Sequence, residues 1–250
     1  MPDYIPQELM DKIMSYVYDF KTLRSCLKVS RSWRDATVPK LTLKYVIAEG
    51  GPWIEPLQES SNSLLQFVKR YHVESNNGPR FFTPNRYKFS HFYAFDNLRE
   101  LKIDRLDLPS FMQELEKYFG RFAQSLQSLT LSSPKASCWQ MISLIRIFKN
   151  LQDLKIYYFD SLEDVTTVDI PLAPPSTDAL GGRLTLHFVQ GKFMEEMIKL
   201  YGGRLNFRFV DLDNADYARD TLKACAGTLE TLRVFEIAFY GENLLDRRRG

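Results

Sequence analysis

Cysteine is scarce in these 250 residues: Cys26, Cys138 and Cys225 are the only three, odd in number and far apart. Neither a disulfide framework nor a zinc-ligand spacing can be drawn from them, so buried free thiols in a reducing compartment are the expectation. A surplus of one charge is missing too. The 33 Lys and Arg stand against 31 Asp and Glu, a net of +2, which leaves no global field to attract nucleic acid. No window approaches the roughly 18 uninterrupted apolar residues of a membrane span. Met1 to Gln7 show no basic stretch leading into an apolar run, so no secretory signal is expected and the chain reads as soluble, cytoplasmic or nuclear.

Catalytic signatures are equally sparse. His72, His91 and His187 stand in no metal-ligand spacing. The acidic run Asp211 to Asp216 has Ala215 at the third ligand position of a calcium loop and no glycine at the turn, so it reads as a helix-capping loop. Gly181-Gly182-Arg183 and Gly202-Gly203-Arg204 each precede a strand, whereas phosphate loops open a helix after a strand; these are read as turn glycines. There is no G-x-S-x-G elbow and no cysteine with a matching histidine. The reading is of a protein without metal, cofactor or catalytic site.

What is present is apolar: 44% hydrophobic and 14% aromatic residues, enough for a core. Over Ile5 to Val46 the chain reads as three short helices. Pro6 suits a first helical position, with Glu8 and Asp11 at the positive end of the helix. Leu9, Ile13, Tyr16 and Val17 form one face, with Met10 and Met14 as a second strip beside it. A second helix is expected from near Thr22 with Leu23, Cys26 and Leu27. Ser30 is placed to cap a third that carries Trp33 and Ala36 and is closed by Pro39. Three helices this short cannot hide so much apolar surface by themselves, which points to a partner or to the rest of the chain. From residue 47 to 94, turn signals (Gly50-Gly51-Pro52, Asn76-Asn77-Gly78-Pro79) surround Leu64, Leu65, Phe67, Val68 and Tyr71, read as one amphipathic helix. The stretch is too aromatic for a solvated tether and reads as a connector packed on the domain C-terminal to it.

From residue 95 a unit recurs. Leu98-Arg99-Glu100-Leu101-Lys102-Ile103, Leu126-Gln127-Ser128-Leu129-Thr130-Leu131, Leu151-Gln152-Asp153-Leu154-Lys155-Ile156 and Leu229-Glu230-Thr231-Leu232-Arg233-Val234 all read L-x-x-L-x-(L/I/V). The last three positions alternate like a half-buried strand. Weaker copies begin at Leu184 and Leu205. The opening residues 101, 129, 154, 184, 205 and 232 are spaced by 28, 25, 30, 21 and 27, the pitch of leucine-rich repeats at roughly 20–29. Helical patterns lie between the strands (Phe111 to Phe122, Met141 to Phe148, Phe193 to Tyr201, Tyr217 to Cys225), and Pro171 to Ser176 marks a longer excursion. Strand and helix alternating at this pitch predict a curved parallel sheet with helices on its outer side. The consensus asparagine is missing, so the solenoid is expected to be irregular. The fold class is therefore α/β: a helical module over 4–46, a connector over 47–94, a leucine-rich-repeat-like domain over 95–240 and a basic tail over 241–250.

The N-terminal residues carry a resemblance. Ile5-Pro6-Gln7-Glu8-Leu9-Met10, Ile13-Met14 and Leu23-Arg24-Ser25-Cys26-Leu27-Lys28-Val29-Ser30-Arg31-Ser32-Trp33-Arg34 together resemble the F-box, and the remainder is similar to the repeat domains of fungal F-box proteins. Ile5 stands where leucine is usual and Ser30 where cysteine is common. The resemblance implies a three-helix F-box docking the Skp adaptor, and through it the cullin, of a ubiquitin ligase, with the repeat domain recruiting a protein substrate. By motif position, Ile5, Pro6, Leu9, Ile13, Leu27, Val29 and Trp33 are the candidates for the adaptor interface or its direct support. On the strands, the residues between the leucines point outward. Lys102, Thr130, Lys155, His187 and Arg208 make a mildly basic row suited to an acidic or phosphorylated target. The competing reading is a leucine-rich-repeat scaffold with no ligase role.

Overall fold

A computed structural model describes residues 5–17, 20–37, 42–48, 51–54, 68–75, 81, 95–161, 180–215 and 217–235. The chain opens with three short helices, α1 (Gln7–Ser15), α2 (Phe20–Cys26) and α3 (Arg31–Thr37). Pro6 is the cap residue of α1 rather than its first helical residue, and its carbonyl accepts from the amides of Leu9 and Met10. At the cap the absent N–H costs no hydrogen bond. Ser30 caps α3 as expected, its hydroxyl accepting from the Trp33 amide at 3.3 Å. Met10, Met14, Leu23, Cys26, Leu27 and Ala36 close a small core, with Ile5, Val17 and Trp33 packed at its margin.

The rest is one open sheet with helices on one face. The strands are β1 (Thr42–Ala48), β2 (Gly51–Ile54), β3 (Arg70–Ser75), β4 (Glu100–Asp104), β5 (Ser128–Ser132), β6 (Asp153–Phe159), β7 (Gly181–Val189), β8 (Asn206–Leu212) and β9 (Thr231–Val234). Their spatial order is β2-β1-β3-β4-β5-β6-β7-β8-β9. Among the described strands only the β1–β2 pair is antiparallel; the other pairs are parallel. Parallel neighbours need a crossover, and helical segments supply it before β5, β6, β8 and β9. Between β4 and β5 run a 3-10 turn (Leu108–Glu114), α4 (Leu115–Phe119) and a second 3-10 turn (Gly120–Phe122). Helix α5 (Cys138–Ile147) precedes β6, α6 (Gly191–Leu200) follows β7, and α7 (Ala218–Ala224) follows β8. The side chain of Ser137 and that of Gln140 close a reciprocal capping box at α5, which satisfies two otherwise orphaned amides. Gly202 and Gly203, with φ +67° and +79°, end α6, and the Gly203 amide donates back to the Ile198 carbonyl at 2.8 Å. These are turn glycines, as expected.

The register brings one column of residues side by side across the sheet: Leu43, Tyr71, Leu101, Leu129, Leu154, Leu184, Val210 and Leu232. The repeat therefore starts two strands before residue 95. β1 lies across the expected boundary at 46, and β2 and β3 lie inside the expected connector. Tyr71, expected on a helix, is fully buried on β3; residues 64–67 of that expected helix lie outside the described residues, as do Pro39, Pro171 to Ser176 and the tail 241–250. The column also corrects the fifth repeat. Its opening residue is Val210, not Leu205. The sheet register slips between Gly182 and Arg183, so that Gly182 faces Phe207 while Arg183 faces Phe209, and Arg208 is the extra residue of a bulge. One inserted residue reverses the facing of the residues after it. Phe209 therefore turns outward, and Val210 and Leu212 turn inward.

Gly182 is needed at that bulge. It has φ +89°, and an added Cβ would collide with the Gln152 carbonyl. It belongs to β7 rather than to a turn before it. The run 211–216 is not a capping loop either. Asp211 is a strand residue, α7 has no side-chain cap, and Asp213 accepts instead from the Tyr217 hydroxyl at 3.1 Å and from the Phe188 amide. The carboxylate thus serves the strand ends rather than the helix start.

A second regularity was not visible in the sequence. Arg105, Ser133, Tyr158 and Phe188 all have left-handed backbone, with φ between 48° and 56°. Each directly follows one member of the register row Asp104, Ser132, Tyr157, His187. Each is followed by a buried residue: Leu106, Pro134, Phe159 and Val189. Ordinary alternation would send that residue to the solvent face. The left-handed step returns it to the helix layer, at a cost of about 1–2 kcal/mol per residue. Hydrogen bonds between repeats offset part of it: the Arg105 amide donates to Ser132 at 2.7 Å, and the Ser133 amide to Tyr157 at 2.8 Å.

The core lies between the inward strand positions and the helices, and Phe111, Phe119 and Phe122 are among its fully buried rings. Phe122 stacks on Phe148, and Phe119 meets both edge-on. All three cysteines are buried and free.

Candidate functional site

Two surfaces present candidate residues. The first is the outer side of α1. The helical period places Met10 and Met14 on one side and Leu9, Ile13 and Tyr16 on the other. The methionines, expected as a second strip beside that face, are the ones that seal the core. Leu9 is 51% exposed, Tyr16 71%, and Ile13 is exposed as well. Val29, just after α2, is 64% exposed. Residues this apolar on so small a module do not serve its own core, since six other side chains already fill it. The seven motif candidates therefore divide. Pro6, Leu9, Ile13 and Val29 face solvent; Leu27 is buried and acts as support; Ile5 and Trp33 are half-buried at the margin. Within α3 the Thr37 hydroxyl donates back to the Trp33 carbonyl at 2.6 Å. Tyr16 belongs with the outward group; its place at i+7 from Leu9 was the signal for it.

The second surface is the strand face that the helices leave open. Lys102, Thr130 and Lys155 stand side by side in one row, which begins at Lys44, passes His72 and continues through Thr185, Asp211 and Arg233. His187 stands in the next row, beside Tyr157, and Arg208 is the bulge residue outside the rows. The five expected residues thus do not form one line.

Much of the expected basic character is also neutralised locally. Glu100 takes His72 at 2.9 Å and Arg70 at 3.4 Å. Asp153 takes Lys155 at 2.9 Å, His187 lies 3.3 Å from Asp211, and the Arg208 Nε donates to Glu230 at 2.6 Å. The exposed pairs, Arg70–Glu100 and Arg208–Glu230, contribute little stability, about 0–1 kcal/mol, and all of these contacts weaken the field an acidic ligand would meet. Lys102 makes no ion pair among the described residues.

Sequence reasoning missed the aromatic character of the far end of this face. Tyr157, Tyr158, Phe188 and Phe235 gather at the ends of β6, β7 and β9. Tyr158 and Phe188 stack in parallel at 4.8 Å, and His187 meets Tyr157 and Phe235 edge-on. The one available signal was Tyr157-Tyr158-Phe159, where a third successive aromatic breaks the strand alternation.

Among the described residues no group of three His, Cys, Asp or Glu side chains is placed to hold a metal ion, and no helix is long and apolar enough to cross a membrane. A family model described as F-box-like matches residues 3–42, the stretch that holds all three helices and the exposed α1 face. No curated protein matches the chain.

Proposed function

We propose that this chain, which carries an F-box-like domain over residues 3–42, is the substrate-recognition subunit of a Skp–cullin–F-box ubiquitin ligase. The coarse part follows from the domain: a role in protein interaction, with a Skp-type adaptor as the partner that F-box domains typically take. The finer part is that α1 to α3 form the three-helix F-box and β1 to β9 an irregular leucine-rich-repeat-like solenoid that recruits a protein substrate. In this reading the protein performs no chemistry itself. It raises the effective concentration of a target near a ubiquitin-charged enzyme held elsewhere in the assembly, in the cytoplasm or nucleus.

The observation that carries the proposal is the apolar face of Leu9 and Ile13 on α1, with Val29 exposed after α2, left uncovered on a module whose core is already closed. Aliphatic side chains of this kind gain about 1.5–3 kcal/mol each when a partner buries them fully. The test is capture of a purified Skp-type adaptor by the full chain and by a Leu9→Asp, Ile13→Asp variant. Capture by the first and not the second is expected. A folded wild-type chain that fails to capture the adaptor would overturn the ligase assignment and leave a repeat scaffold.

A further inference from the structure

The aromatic end of the open sheet face carries more than the function just proposed requires. Tyr158 and Phe188 occupy left-handed backbone, φ 54° and 56°, where bulky residues are outliers. Serine and arginine suffice at the equivalent positions of earlier repeats. The conformation holds both rings out of the core, stacked in parallel within 6°, with Tyr158 59% exposed. Phe235 adds a third ring, 50% exposed, at the end of β9.

Carboxylates are tied into the same rim. Asp213 accepts from the Phe188 amide, Asp211 lies 3.3 Å from the His187 ring, and Asp160, two residues after Tyr158, accepts from Gln190. By register and sequence the cations beside this rim are Lys155, two residues before Tyr157 and paired with Asp153, Arg233, opposite Asp211, and Lys192 on the first turn of α6. Flat ring faces attract cations through their quadrupole, and a planar guanidinium continues a stack better than an ammonium does. Carboxylates at the margin then supply the charge partner.

We infer that this rim is a docking site for an extended, arginine-bearing peptide segment of the protein that the chain recruits. The outer face of Tyr158 takes a guanidinium, and Asp160 and Asp213, which among the described residues accept only from neutral donors, set the preference for positive charge. The site rests on the recruitment role proposed above and replaces the acidic target suggested by the row of basic residues with a basic one.

The test measures binding of three labelled octapeptides, Gly-Ser repeats carrying two arginines, two lysines or two glutamates, to the full chain by fluorescence anisotropy. Asparagine tolerates left-handed backbone, so Tyr158→Asn with Phe188→Asn removes the rings without straining the fold. The arginine peptide is expected to bind more tightly than the lysine peptide, to leave the glutamate peptide unbound, and to lose at least tenfold in affinity on the double variant. Equal binding by the double variant, or no discrimination between arginine and glutamate, would overturn the site. A second chain variant replaces Arg247, Arg248 and Arg249 with serine. If the arginine peptide binds only that variant, the occupant is the chain's own basic tail and the proposal of an external ligand falls. Adaptor capture is measured on the same preparations. Loss of capture with retained peptide binding would count against the ligase reading and not against this site.

Discussion

The helical module and the sheet domain handle apolar surface in opposite ways. In α1 to α3 six buried side chains suffice for a core, and Leu9, Ile13, Tyr16 and Val29 are left facing water. In the sheet domain β3 to β8 hand their inward residues to a core shared with the helices, and the rings of Phe111, Phe119 and Phe122 disappear altogether. A small module has too little volume behind its surface to absorb every apolar residue that its helices carry. A stack of repeats does not meet that limit, because each repeat is covered by its neighbours. The surplus on the module is thus available to a partner, whereas the sheet domain gathers Tyr158, Phe188 and Phe235 at one end of the open face and leaves Phe209 outward at the bulge.

The contrast can be broken by substitution. The largest effect is expected from Leu9→Asp with Trp33→Ala. Each change removes a residue of the size that dominates interfaces, about 2 kcal/mol or more, so adaptor capture should fall at least about 1,000-fold. The urea midpoint of the sheet domain should not move; a shift would mean that module and sheet share one core. The reverse experiment is Phe122→Ala. Its ring is fully buried, so truncation should cost about 3–5 kcal/mol of stability by urea denaturation, while adaptor capture persists under native conditions.

A smaller effect concerns Tyr201 at the end of α6. Burial pushes its phenol from the usual 10 to about 12, against a weaker opposing pull from Arg146. Because the folded value is the higher one, its contribution is intact below about pH 10 and is lost as pH rises towards 12. Tyr201→Phe should therefore gain on the wild type by roughly 2–3 kcal/mol across that window, read from paired urea curves at pH 9 and pH 12. An unchanged difference between the two pH values would exclude burial of the hydroxyl. The smallest expected effect is that of Ser137→Ala. Loss of the capping box should lower stability by about 1 kcal/mol, and Ser137→Asp should restore most of it.

The repeat was legible because its signal is local. Leu-x-x-Leu-x-Ile states both the strand and its inward face, and five of the six expected opening residues fall in the register column. Leu205 failed because it stands just before β8, level with Leu180 rather than Leu184, and because the bulge at Arg208 then moves the inward place from Phe209 to Val210; nothing in Leu205-Asn206-Phe207-Arg208-Phe209 announces a bulge. The signal for it lies in another repeat, at Gly182. Tyr71 failed for a related reason. A single strand between two turn-rich stretches offers too few residues to separate a period of 2 from one of 3.6. On the candidate surfaces, motif position found the outward Leu9 and Ile13. Charge counting on the strands named residues without their partners, since Glu100, Asp153 and Asp211 reach the cations from neighbouring strands or positions.

By itself the sequence determined that three short helices precede an alternation of strands and helices, which side of most strands is apolar, and that an F-box motif occupies the first helices. These follow from periodicity and order along the chain. Only the tertiary structure decided which strip of α1 faces inward, where the register slips, and that four successive repeats turn left-handed at one position. Those outcomes depend on what packs across from each residue: Leu23 and Leu27 behind Met10 and Met14, the Gln152 carbonyl against Gly182, and the helix layer that draws Phe159 and Val189 back inside. A linear pattern records the apolar character of a side chain, but the neighbour that covers it comes from elsewhere in the chain.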